Sequence, residues 1–253
     1  MQHHARSYFA HLYRSKRFRL LCFITFIICA LSLRRESRGT DATIQLKTDM
    51  SFAGSEYGGW WFNKAILPPQ PIVYSFGLGE DTSWDEAMLD AGADVYGFDP
   101  TPRSAEYVRN RAELKTKHGR FYYTQEGLSV EGGIIEFSLP TNPSHVSLRA
   151  GKFAGSGGVI KLKVGTLETF MSAHRHKHID ILKIDIEGSE YNVLENIIDR
   201  QFYPFTQLLV EFHKTYEGVD EKRHRRLLQR LFRAGFVITK ATASDEITFQ
   251  RLL

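Results

Sequence analysis

The segment Pro71–Pro102, PIVYSFGLGEDTSWDEAMLDAGADVYGFDPTP, constrains the fold of this chain more than any other. An apolar, β-branched and aromatic run, Ile72–Phe76, breaks into the glycine turn Gly77-Leu78-Gly79. It continues through a helix-compatible stretch to a second apolar run, Val95–Phe98, that ends in Asp99. Run, turn, helix and run make one β-turn-α-β unit. Glycines let a backbone approach a ligand closely, and an acid about 20 residues further on accepts hydrogen bonds from ribose hydroxyls. Asp99 stands 22 residues after Gly77. The third position of the dinucleotide fingerprint is Thr82, not glycine, so the close helix–strand packing used beneath a pyrophosphate is missing. A ligand with a ribose and no pyrophosphate fits this pattern, and S-adenosylmethionine is the commonest of that kind. The plain alternative is a turn without a ligand; the order strand, turn, helix, strand and acid argues for the ligand.

Charge divides the chain in two. Residues 1–38 carry eight basic residues against the single acid Glu36, a surplus larger than the formal charge of +4 for all 253 residues. The remainder is therefore mildly acidic, which argues against a large nucleic-acid footprint. Within the basic leader, Leu20–Leu33 is an uncharged run of 14 residues with arginine on both flanks. As a helix it spans about 21 Å against a hydrocarbon core of about 30 Å. Three readings stay open. It is a signal peptide cleaved near Ala30-x-Ser32, a signal anchor in a thin early-secretory membrane, or, third, a mitochondrial presequence. The first two place the rest of the chain in the secretory pathway, in the Golgi or ER lumen on a single-pass anchor, or outside the cell. Four basic residues close before the run against three after it favour a cytoplasmic amino terminus. Both cysteines, Cys22 and Cys29, lie in this run, so the remainder has no disulfide and no thiolate metal site.

Residues 39–50 read as a linker, and the aromatic stretch Tyr57–Phe62 as a short helix packed on a sheet edge. After Asp99, Pro100-Thr101-Pro102 starts a helix, with Ala105–Lys117 continuing it. Phe121–Thr124, Ile134–Leu139 and Val159–Val164 read as strands, and Pro140–Gly158 as a long loop carrying His145. The cluster His174-Arg175-His176-Lys177-His178 reads as a solvated helix end, because its histidines lack helical ligand spacing and a carboxylate. No metal is expected. A second informative stretch, IDILKIDIEGSEYNVLENII from Ile179 to Ile198, is an apolar strand that ends among Asp185, Glu187 and Glu190. Part of this is helix capping, yet Asp185 sits where open α/β sheets bind ligands. Another buried strand, Gln207–Phe212, runs into His213, and Leu227, Leu228, Leu231 and Phe232 make the apolar face of an arginine-rich helix.

The pair VYSFGLGEDTSWD and YGFDPTP, with LKIDIEGSEYNVLENI and QLLVEFHK, resembles the FkbM-like family of S-adenosylmethionine-dependent methyltransferases, in its membrane-associated or secretory eukaryotic form. The resemblance covers nearly all of residues 51–253, and IDIEGSE is its most specific piece. It implies a Rossmann-like α/β class I methyltransferase fold: a mostly parallel seven-stranded sheet, helices on both faces and an antiparallel last strand. It implies that Gly77 and Gly79 face the amino-acid part of the cofactor, Asp99 its ribose, and Gly127-Leu128 the vicinity of the adenine, with Phe76 and Pro100 also among the cofactor-binding residues. Asp185 and Glu187 belong at the reaction centre. Tyr74 stands where an acid often begins the glycine motif, which leaves Glu80 or Asp81 to orient the methionine ammonium through water.

Methyl transfer is an in-line displacement, so catalysis is chiefly positioning. A hydroxyl acceptor on a small molecule or glycan needs a base, and Asp185, Glu187, His213 and His145 are the candidates. Two other functions stay open: a nicotinamide-dependent oxidoreductase, and a silent binding protein on the same fold.

Overall fold

The computed structural model describes residues 48–252 apart from 112–113, 115–117, 143–147, 152–156 and 215–217. Leu20–Leu33 and His145 lie outside the described residues, and among those residues no helix is long and apolar enough to cross a membrane.

The Ile72–Phe76 run forms β3 and the Val95–Phe98 run forms β4 (Asp94–Phe98), joined through α1 (Ser83–Asp90). The next helix, α2 (Pro102–Asn110), starts at the proline, with Thr101 accepting from the Ser104 amide, and stops well short of Lys117. With β5 (Phe121–Thr124), β10 (Ile179–Ile184), β11 (Phe205–Glu211), β12 (Phe236–Ala241) and β13 (Glu246–Arg251) these strands make one seven-stranded sheet in the order β12-β13-β11-β10-β3-β4-β5. All pairs from β11 to β5 are parallel, and β13 runs antiparallel to both of its neighbours. The expected sheet is therefore present, including its reversed last strand.

Period-two alternation sorts the side chains into two layers. On one face Val73, Val95, Ile181 and Leu209 pack with Trp84 and Met88 of α1. On the other, Tyr74, Phe76, Phe98, Ile184 and Leu208 meet the helices α3 (Leu167–Ala173), α4 (Glu190–Asp199) and α5 (Glu221–Arg233). Two arginines of α5 cross to α4: Arg223 pairs with Glu195 at 2.8 Å, and Arg230 pairs with Asp199.

Three expectations are corrected. The aromatic stretch is not a helix but half of a hairpin, β1 (Met50–Ala53) with β2 (Trp60–Asn63), so the first strand also begins inside the expected linker. Strand geometry lets Trp60 and Phe62 point together into the core while Trp61 meets Phe52 across the pair at 5.5 Å, which a helix does not allow. The strands read at 134–139 and 159–164 are present, but the loop expected between them is not continuous. As β7 (Gly133–Ser138) and β9 (Val159–Gly165) they pair with β6 (Gly127–Leu128) and β8 (Arg149–Ala150) in a sheet of their own, and β8 interrupts the expected loop. Two histidines of the 174–178 cluster are not simply solvated: His176 Nδ1 lies 3.0 Å from the buried Tyr74 hydroxyl and His174 packs on Tyr96.

The hairpin is held across the sheet by a buried amide. Gln207 Oε1 accepts from the Asn63 amide at 2.7 Å and its Nε2 donates to the Asn63 carbonyl at 3.0 Å. Gln207→Leu strands both backbone groups at about 1–3 kcal/mol each, so urea denaturation is expected to show a loss of about 2–6 kcal/mol. A loss under about 0.5 kcal/mol, the usual scatter for a surface change, means the pair does not hold the hairpin.

Candidate functional site

The ladder of the parallel strands continues one residue past their ends. Asp185 N donates to Phe76 O at 3.1 Å, Gly77 N to Phe98 O at 2.9 Å, and Asp99 N to Thr124 O at 3.3 Å. Three of the expected site residues thus stand in one row at the carboxyl edge of the sheet. Gly77 has φ +81°, and a Cβ there would lie 1.6 Å from the Asp185 carbonyl oxygen. Only glycine permits that approach. From below, Lys183, itself 4 % exposed, donates to the Gly77 carbonyl at 2.8 Å. Gly79, with φ +56°, has no atom within 4 Å of its Cβ position and presents bare backbone to open space.

Asp99 is where expected but has other partners. Its Oδ2 accepts from the Leu78 and Gly79 amides, both at 3.0 Å, and its Oδ1 from the Thr101 amide at 2.8 Å and hydroxyl at 2.7 Å. A carboxylate offers about four acceptor positions, so the chain itself fills them. Asp99 is a clamp on the glycine turn. Glu80 pairs with Arg103 at 2.7 Å near the surface. Asp81 accepts from Ser55 Oγ at 2.6 Å and from the Ser83 amide at 2.8 Å. Burial works against the Asp81 carboxylate, but the Ser55 and Ser83 hydrogen bonds outweigh it and hold its pKa below the usual range. Both acids serve the frame. The Phe76 side chain does not reach the site: alternation turns its ring into the core, stacked 4.5 Å from Phe98, and only its carbonyl reaches the row. Leu128 is likewise core, and Gly127 packs against Pro100.

The second half of the site is a cluster around His213. Its Nδ1 lies 2.9 Å from Glu190 Oε1, while Nε2 faces Glu187 at 3.4 Å, Asp185 at 3.9 Å and Glu211 at 4.0 Å. Glu190, fully buried, is itself fixed by the Ile186 amide at 2.9 Å and the Gly188 amide at 3.0 Å. Burial alone would lower the His213 pKa, but the Glu190 hydrogen bond and the charges of Glu190, Glu187 and Asp185 outweigh it and hold it at about 9. Burial raises the Asp185 carboxyl against the pull of Lys183 and His213, and raises Glu211, with Asp185 adding to the rise. Above the cluster, Tyr57 stands 86 % exposed at the hairpin tip. Its phenol is raised by partial desolvation and then by Asp185, Glu187, Glu211 and Asp81; with the ring so exposed, those charges are the informative contribution.

The structure therefore unites Asp185, Glu187 and His213 as the sequence suggests, and sets them beside Gly77. Sequence reasoning missed Glu190 as the partner of His213, Glu211 as a wall of the cluster, and Lys183 beneath the turn. The Glu211-x-His213 spacing, which puts two polar side chains on one side of an extended chain, was the available signal.

A family model described as the methyltransferase FkbM domain matches residues 73–238, from β3 into β12. The chain belongs to the FkbM methyltransferase family. Among curated relatives, the human probable methyltransferase-like protein 24 is 29% identical over 163 residues, 63% of this chain and 37% of that protein. The rat protein of the same name is 28% identical over 157 residues, 61% of this chain and 36% of its own. The chain spans little more than a third of the length of these curated relatives. Among solved structures, the methyltransferase FkbM of Methylobacillus flagellatus superposes with a TM-score of 0.47 at 15% identity, over 75% of this chain and 46% of that one.

The two glycines of this FkbM domain respond differently to a methyl group. Gly77→Ala drives Cβ into a backbone oxygen and is expected to cost more than about 4 kcal/mol, a loss reserved for severe clashes. Gly79→Ala meets open space and costs only the left-handed backbone, about 1–2 kcal/mol. Thermal melts of the two variants check this, and equal losses overturn the close approach of Gly77 to Asp185.

Proposed function

We propose that this FkbM-family chain is an S-adenosylmethionine-dependent methyltransferase acting on a hydroxyl of a small molecule or glycan. The observation that carries the reading is the contact of Gly77 with Asp185, which sets a bare glycine turn directly beside a cluster of proton-accepting groups. The turn suits the cofactor: Gly79 leaves open backbone where a side chain would otherwise stand, and Asp99 holds the two turn amides in place. When bound, S-adenosylmethionine supplies an electrophilic methyl whose bond pair returns to sulfur.

The chain's own residues then have three tasks. Gly77 and Gly79 keep the approach to the turn open. Asp185, at the end of β10, marks the boundary between turn and cluster and orients the acceptor hydroxyl as a hydrogen-bond acceptor. The cluster takes the hydroxyl proton as oxygen supplies the pair for the new bond. A hydroxyl is favoured because carboxylates ringing an imidazole accept hydrogen bonds and protons, which hydroxyls donate. Tyr57, exposed above the cluster, offers a flat ring for stacking on a sugar or aromatic acceptor. Membership of a methyltransferase family gives the nicotinamide reading no support.

Calorimetry on the full chain is expected to show S-adenosylhomocysteine binding, weakened about tenfold or more in Gly79→Val, a change of about 1.4 kcal/mol. No binding to the folded wild type overturns the reading. With tritiated S-adenosylmethionine and a panel of hydroxylated acceptors, Asp185→Asn is expected to lower turnover about a hundredfold while melting within a few degrees of wild type. Normal turnover makes Asp185 structural.

The proposal includes a lumenal or extracellular domain delivered by Leu20–Leu33. An Asn-x-Ser/Thr acceptor engineered near Thr48 is expected to gain a glycan in cells. An unmodified acceptor together with cytosolic protease sensitivity reverses the assignment.

A further inference from the structure

The His213 cluster is unusual in what it lacks. Among the described residues, neither the Asp185 nor the Glu211 side chain accepts a hydrogen bond, although both are partly buried and face His213 together with Glu187 and Glu190. Lys183, the buried cation on β10, is committed to the Gly77 carbonyl and to the Trp60 ring. Four carboxylates therefore converge on one imidazole. Some positive charge has to sit among them, and a proton on His213 is only one way to provide it.

Geometry favours a larger cation. One ligand atom each from Asp185, Glu211 and His213 lies within 4.8 Å of the other two. Donors held at about 2.1–2.2 Å from a shared ion are about 3 Å apart when adjacent and about 4.3 Å when opposed. The separations of 3.9 and 4.0 Å from Nε2 to Asp185 and Glu211 fall between those limits, too long for hydrogen bonds and short enough to be bridged by one ion.

An independent feature is the support behind the histidine. Glu190 takes Nδ1, and is itself anchored by the Ile186 and Gly188 amides. A carboxylate behind the second ring nitrogen is the arrangement that orients metal-binding histidines, leaving the other nitrogen's lone pair directed at the ion. It is built here from the IDIEGSE turn and aims Nε2 at Asp185 and Glu211. Two carboxylate oxygens and one imidazole nitrogen, with no cysteine in the domain, suit a hard divalent ion over a thiophilic one.

We propose that Asp185, Glu211 and His213 bind a divalent cation of the magnesium–manganese class at the reaction centre. The ion's role there rests on the methyl-transfer reading: its open positions take the acceptor oxygen and lower the pKa of the hydroxyl. Glu187, 3.4 Å from Nε2 and outside the triad, receives the hydroxyl proton, and oxygen keeps the electron pair that forms the new bond to carbon. The sequence alone gave no sign of such a site because its ligands come from two strand ends that are distant along the chain.

Manganese is the probe. Titrated into the full chain and followed by electron paramagnetic resonance, Mn²⁺ is expected to bind at one site per chain. Glu211→Gln and His213→Gln are expected to weaken it by about tenfold to a hundredfold. The bound ion is expected to show nitrogen coupling that disappears in His213→Gln. Circular dichroism confirms that each variant is folded; if His213→Gln is not, Glu211→Gln and the nitrogen coupling of the wild type decide. No binding by folded wild type at millimolar Mn²⁺, or affinity unchanged in Glu211→Gln, overturns the site. S-adenosylhomocysteine titrated into the same samples separates the two ideas. Mn²⁺ binding without nucleoside binding leaves the ion site and removes the methyl-transfer reading, and the opposite result does the reverse.

Discussion

The whole site depends on one backbone contact, the approach of Gly77 to the Asp185 carbonyl where β3 and β10 end side by side. Parallel pairing sets Phe76 opposite Ile184, so the two strands reach the edge of the sheet at the same level. The turns that leave the two strands are then forced to be adjacent: a glycine turn after β3 and an acid-rich turn after β10. A side chain at position 77 would push the two ends apart, and the turn and the cluster would no longer share a boundary.

Around that contact the chain spends several polar groups on rigidity. Asp99 grips two turn amides, Lys183 holds the Gly77 carbonyl, and Asp81 ties the turn to Ser55 of the β1–β2 hairpin. Buried polar groups are tolerated when hydrogen-bonded, and these are. The carboxylates facing Nε2 are different, because Asp185 and Glu211 receive no such help from the described residues. The contrast separates carboxylates saturated by hydrogen bonds from carboxylates that have none, and all of these residues are acids or lysine, so residue type alone does not separate them.

Much of the fold was legible because its signals are local. Apolar runs ending in glycine or acid marked β3, β4 and β10, and their order indicated the sheet. The hairpin was misread because Tyr57–Phe62 is dense in aromatics, which hides the alternation by which Trp60 and Phe62 face inward and Trp61 outward. The second sheet was unreadable in principle, since β7 and β9 find each other through a register that no local pattern encodes. At the site, Asp185 and Glu187 stood out as acids at the end of a buried strand. Phe76 was placed at the cofactor, although alternation along the strand turns its ring toward the core. The partnership of Glu190 with His213 spans 23 positions and exists only once α4 is docked beside β11.

The reversed strand β13 carries a consequence for how the molecule comes into being. It lies between β11 and β12 and pairs with both, so these two strands are joined only through it. During synthesis, β3, β4 and β5 can join as soon as they emerge, and the glycine turn with its Asp99 clamp can form early. The half of the sheet that carries Glu211 and His213 stays incomplete, with an open edge on β11, until residues 246–251 have been made. Pairings of such long sequence separation form slowly, and an unpaired edge invites association with other chains. The nascent domain therefore acquires its glycine turn well before its acid–imidazole cluster, and its period of greatest need for a chaperone falls between the two.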